Sequence, residues 1–142
     1  MREYAADSAI DEDAPTGPPP EDEAAARRDI EAAFSAIDAR GPDDPDTLVN
    51  VQRGEHLGPT LDAVKRLNAH YLGQTRQTVD HIEFLDARAA AVRYSVWLGG
   101  APLLSHRRGV AVLVDGRWKV SRETFCEQMS LGGIPCPPDL DP

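Results

Sequence analysis

Asp80, Tyr94, Arg107 and Arg122 are the residues whose types and spacing suggest chemistry. Each falls in one of four consecutive strand-like runs, on the side that strand alternation turns toward the core. A carboxylate in apolar surroundings can serve as a general base whose basicity is set by burial. A tyrosine hydroxyl and a guanidinium can hold the oxygen on which charge develops as a proton leaves carbon. Phe34, Leu67, Phe84, Leu98 and Trp118 would enclose the apolar body of such a ligand, which fits one carbonyl or carboxylate better than a sugar or nucleotide. The same groups also suit a buried ion pair between Asp80 and an arginine, completed by Tyr94, and such structural networks are the commoner arrangement.

Other chemistries find less support. His81 and His106 fall on the opposite face of the same strands, His56 in a polar bend and His70 near a helix end. No histidines or acids share metal-ligand spacing, so no metal is expected. No Ser-His-Asp or Cys-His arrangement and no phosphate-cradling glycine loop is visible, and no cofactor is expected. Cys126 and Cys136 do not form a zinc motif. They are expected as reduced thiols able to bridge under oxidising conditions, because Gly132-Gly133 and Pro135 let the tail fold back.

Three helices and four strands must position these residues. Glu21–Arg40 carries one apolar stripe through Ala26, Ile30, Ala33, Phe34 and Ile37, and Gly41-Pro42 stops it. Pro45–Gln52 reads as a short second helix with Leu48 and Val49 inward, and Pro59–Leu72 as a third with Gly73 as its stop. Strands follow at Thr75–Leu85, Ala89–Leu98, Leu103–Val114 and Arg117–Thr124, in an antiparallel meander. Asp115-Gly116 is the hairpin turn, because both positions of a type I′ turn need positive φ. That turn sets Leu113 opposite Trp118, Ala111 opposite Val120 and Gly109 opposite Arg122. A four-residue loop Gly99–Pro102 sets Tyr94 opposite Arg107 and Val96 opposite Ser105. Ile82 and Phe84 mark the inner side of the first strand, which turns Asp80 inward as well. Thr124 to Glu127 has capping-box spacing for a short helix through Leu131. The fold class is α+β: three N-terminal helices on a curved four-stranded antiparallel meander, then a short C-terminal helix.

The helices, the meander and its Asp-Gly-Arg-Trp-Lys-Val hairpin resemble the cystatin-like cone of the nuclear-transport-factor-2-like superfamily, which includes SnoaL-like cyclases. The runs Tyr94–Gly100, Asp115–Ser121 and Thr124–Cys126 are similar, more narrowly, to the C-terminal domain of actinobacterial low-molecular-weight antigens. The superfamily likeness spans Glu21 to Leu131 and the narrower one Ala89 onward. The resemblance implies a cone fold and, for many relatives, a homodimer through the outer sheet face, where Val110, Val112 and Val114 form an apolar row. It transfers no catalytic residue, because none of the enzymes' motifs is matched. The antigens carry export signals, and this chain shows none.

Charge and composition set the remaining bounds. The 142 residues suit one domain, and the net charge of −9 is uneven. Residues 1–23 hold one arginine and eight acids, whereas the rest is nearly neutral. There is no basic stripe for nucleic acid and no apolar run of membrane-spanning length. Residues 1–20 read as a disordered acidic, proline-rich leader, 21–131 as the folded domain and 132–142 as a proline-rich tail. The leader lacks a signal peptide's basic start and apolar core, so a cytoplasmic location is expected. The expected function is binding of a small hydrophobic ligand with one polar group. A cofactor-free isomerase, dehydratase or cyclase using Asp80 is the alternative, and an interaction domain with a filled cone is the third reading.

Overall fold

A computed structural model describes residues 17–39, 48–67, 75–131, 133–134 and 136. Helix α1 (Glu23–Ala39) opens on Asp22, whose carboxylate accepts the Ala25 N–H at 3.0 Å. That cap satisfies one of the donors every helix start leaves orphaned. Its expected stripe, Ala26, Ile30, Ala33, Phe34 and Ile37, is buried against the sheet. The expected second helix is reduced, among the described residues, to a single 3₁₀ turn at Leu48–Asn50. Val49 stands exposed rather than inward, and Asn50 and Val51 are the buried residues that follow it. A further 3₁₀ turn at Gly54–His56 leads into α2 (Gly58–Leu67). The expected ends of the first and third helices, with His70, lie outside the described residues.

Strands β1 (Thr75–Asp86), β2 (Ala89–Leu98), β3 (Ala101–Val114) and β4 (Arg117–Val120) form one antiparallel sheet in sequence order. Asp115 and Gly116 both have positive φ, and Leu113 pairs with Trp118 and Ala111 with Val120, as the turn requires. The concave face carries Ile82, Phe84, Val92, Tyr94, Val96, Ala111, Trp118 and Val120, and α1 covers it. The β4 edge is closed by Val51, which bridges Val120 in parallel, and by Gln52, whose N–H donates to the Val120 carbonyl at 2.8 Å. A covered edge cannot template another strand.

Two local features depart from the expected register. Gly99-Gly100 alone makes the β2–β3 turn, with Leu98 opposite Ala101. Ala101 and Pro102, expected in the loop, pair with Leu98 and Trp97, and two extra residues are taken up by β3 bulges on either side of Leu104, so Val96 pairs with Leu104 rather than Ser105, while Tyr94 still pairs with Arg107. The fourth strand ends at Val120, not Thr124, and helix α3 runs from Arg122 to Leu131. The reason is chemical: Ser121 Oγ accepts the Thr124 N–H at 3.1 Å, making Ser121 the helix cap in place of Thr124. At the other end, Gly133 takes positive φ. Ile134 N–H then donates to the Met129 carbonyl and Gly133 N–H to the Ser130 carbonyl, both at 2.9 Å. This is the paired closure of a Schellman motif, with Ile134 buried beneath it.

Candidate functional site

Helix α3 lies across the concave face and decides what the interior can hold. Its Thr124 Oγ1 accepts the Val110 N–H at 2.9 Å, which ties the first turn to the middle of β3. One turn on, Arg107 and Glu127 pair at 3.2 Å on the surface. Further along, Gln128 and Gln77 of β1 exchange two side-chain hydrogen bonds, 2.8 and 3.2 Å, both amides buried. Phe125 enters the core beneath the helix, and Cys126 is bridged to Cys136, so the tail is fastened to α3.

The four polar residues expected at one level of the cone do not converge. Tyr94 is 0 % exposed and stacks obliquely on Phe34, ring centroids 5.3 Å apart. Arg107 is beside it in the register, but its guanidinium is committed to Glu127. Arg122 is on α3 rather than on a strand; it is buried, and its N–H donates to Gln52 Oε1 at 3.2 Å. Asp80 is on the convex face, opposite to expectation. A β-bulge between Val79 and His81 inserts Asp80 as an extra residue, so the alternation that turns Ile82 and Phe84 inward reverses before it reaches Asp80. Of the apolar lining, Phe34, Phe84 and Trp118 are core residues and Leu98 is half-buried. Leu67 is the last residue of α2, and its side chain lies outside the described ones.

Gly109 shows how closely α3 sits on the sheet. A Cβ at that position would lie 2.8 Å from Thr124 Cγ2 and 3.0 Å from Tyr94 Cε1. Gly109→Ala is therefore expected to push α3 off β3 and cost about 1–3 kcal/mol, as overpacking does. Urea unfolding checks this, and an unchanged midpoint would mean that α3 is not seated as described.

The convex face holds a constellation that sequence reasoning missed. Ser95 Oγ donates to Asp80 Oδ2 at 2.7 Å, and His106 Nδ1 is 3.1 Å from the same oxygen. The His106 N–H donates to Ser95 Oγ at 3.2 Å. Asp80 and His106 are both bulge residues flanking the central strand, and His106 has a φ of 52°. The connectivity differs from a nucleophilic triad, where the imidazole bridges hydroxyl and carboxylate and takes the hydroxyl proton. Here the carboxylate receives both groups directly, and Ser95 is buried. The arrangement orients the His106 ring and pins two bulges together. One signal for it was available: the apolar residues of β1 change parity between Val79 and Ile82, which is how a bulge looks in sequence.

These features can be set beside known proteins. A family model described as "Low molecular weight antigen MTB12, C-terminal domain" matches residues 23–136. The chain belongs to this family. The match begins on the first residue of α1 and ends on Cys136, so the MTB12-type domain includes the helices as well as the sheet and extends well before Ala89. A crystal structure of an NTF-2 like protein of unknown function from Shewanella oneidensis MR-1 is also similar. It has 21% sequence identity over 70% of this chain and 92% of that chain, with a TM-score of 0.41. No curated protein matches.

Proposed function

We propose that the MTB12-type domain is a protein-interaction module, with a filled interior as rigid support and the convex sheet face as its contact surface. The observation that carries this reading is the burial of Phe34, Tyr94 and Phe125 in one cluster beneath α3, at the level where an enclosed ligand would sit. Asp80 on the other face removes the base that the enzymatic alternative required. On the convex side, Val110, Val112 and Val114 form a half-buried aliphatic row beside Lys119, and a second copy is the partner this self-complementary strip suits. The Cys126–Cys136 bridge further supports an oxidising compartment over the cytoplasmic one expected from the leader.

The test is a mass measurement by light scattering across a concentration series. The native protein is expected to reach a dimer mass and the Val112→Glu variant to remain monomeric with an unchanged circular dichroism spectrum. A native monomer at high concentration would remove self-association through this face. Stoichiometric binding of an apolar dye such as anilinonaphthalene sulfonate to the folded protein would overturn the filled interior and restore the enclosed-ligand reading.

A further inference from the structure

The Cys126–Cys136 bridge joins residues ten apart, so the loop it closes holds the rest of α3 and the turn after it but no part of the sheet. A loop this short constrains little of the unfolded chain, and its effect is concentrated on the segment it fastens. The attachments of α3 to the sheet lie elsewhere. The Ser121 cap, the Thr124–Val110 hydrogen bond, the buried Phe125 and the paired amides of Gln77 and Gln128 hold the helix whether or not the sulfurs are joined.

Past Met129 the attachments are weaker. Gly133 and Ile134 donate to the carbonyls of Ser130 and Met129, and Ile134 is the buried side chain among the described residues of the tail. Two hydrogen bonds and one aliphatic side chain are what a fraying helix end possesses, and the bridge turns that end into a fixed one. Both cysteines are half-buried rather than sealed in the core, which leaves the bridge open to an incoming thiolate. Leu131 already stands 52 % exposed beside them. Release of the tail would add Ile134 and the half-buried Met129 to it, making an apolar surface where the closed form shows one leucine.

We propose that Cys126–Cys136 is a reversible redox latch, which a dithiol opens to free the tail while α3 and the sheet stay folded. A thiolate of the dithiol attacks one sulfur of the bridge, and the other cysteine sulfur leaves and takes a proton. The second thiol of the reagent then displaces the mixed disulfide. The bridge has gained two electrons and two protons, and the dithiol has closed to its own disulfide. In an oxidising compartment the latch stays shut, and entry into reducing surroundings opens it. This goes beyond self-association through the valine row, uses none of its residues, and can stand or fall without it.

The experiment follows amide hydrogen exchange of the full chain when oxidised, under excess dithiothreitol, and after re-oxidation. Reduction is expected to speed exchange at Gly133 and Ile134 by about tenfold or more, with Ala111 and Val120 unchanged, and re-oxidation to restore the slow rates. The Cys126→Ser, Cys136→Ser variant should match the reduced form. Alkylation in native buffer should then count two thiols. Unchanged exchange at Gly133 and Ile134 overturns the proposal, because the backbone closure and Ile134 then hold the tail unaided. Acceleration shared by Ala111 and Val120 overturns it as well, since the bridge is then a staple of the whole domain. So does a bridge that yields to the dithiol only in denaturant.

Discussion

Trp118→Ala is expected to destabilise the domain by about 3–5 kcal/mol, the range for removing a buried tryptophan. Trp118 is fixed from two directions. The Asp115-Gly116 turn sets its register opposite Leu113, and its ring packs against Phe84 with centroids 6.1 Å apart. The loss would open the lower part of the core between β4 and α1. Trp97 is the internal control. It is half-buried on the convex face, where its Nε1 donates to Thr78 Oγ1 at 2.9 Å and Arg76 lies over its ring at 5.2 Å. Trp97→Ala should cost about 1 kcal/mol, the scale of one hydrogen bond or one exposed cation–π contact. The chain has two tryptophans, so each variant leaves a single fluorophore. Emission at shorter wavelength from Trp118 than from Trp97, with unfolding midpoints in the stated order, checks the assignment. Similar midpoints would place Trp118 outside the core.

Replacing both cysteines by serine should cost about 2–3 kcal/mol, given the ten-residue separation the bridge closes. The loss should be local first. The bridge fastens a tail whose Ile134 is buried under the end of α3, so the Ile134 and Met129 amide environments should change before the sheet does. Denaturant unfolding in the presence and absence of a dithiol reductant measures the difference. Equal midpoints would show that the Schellman closure alone holds the tail. Alkylation of freshly isolated protein adds the compartment: two modified thiols would favour the cytoplasm, and none would favour an oxidising setting.

What could be read from the sequence was whatever a short-range rule governs. The type I′ turn at Asp115-Gly116 has a strict φ requirement, and the α1 stripe repeats over five positions, so both stood where expected. The same reasoning misplaced Asp80 because parity counting assumes an unbroken ladder, and one extra residue inverts every face beyond it. In β3 two such errors offset a wrong loop length, which is why Tyr94 and Arg107 pair despite Gly99-Gly100 being the turn. Arg122 was lost for another reason. Val120, Ser121 and Arg122 look like continuing strand, but the Ser121 hydroxyl stabilises a helix start within reach, and that local hydrogen bond overrode β propensity. The candidate site failed as a set because all four positions had to be right together.

The exchange of hydrogen bonds between Gln77 and Gln128 has an evolutionary corollary. Two identical amides, each donating to and accepting from the other, form a closed ring buried between β1 and α3. Changing either residue alone strands the other's donor or acceptor at about 1–3 kcal/mol, whereas an apolar pair of matching shape would be close to neutral. The two positions, fifty-one residues apart, are thus separated from their alternatives by a fitness valley one substitution wide. Homologous chains should cross it in paired steps, so joint variation at these two columns is a direct record of whether a relative keeps its last helix over the mouth of the sheet.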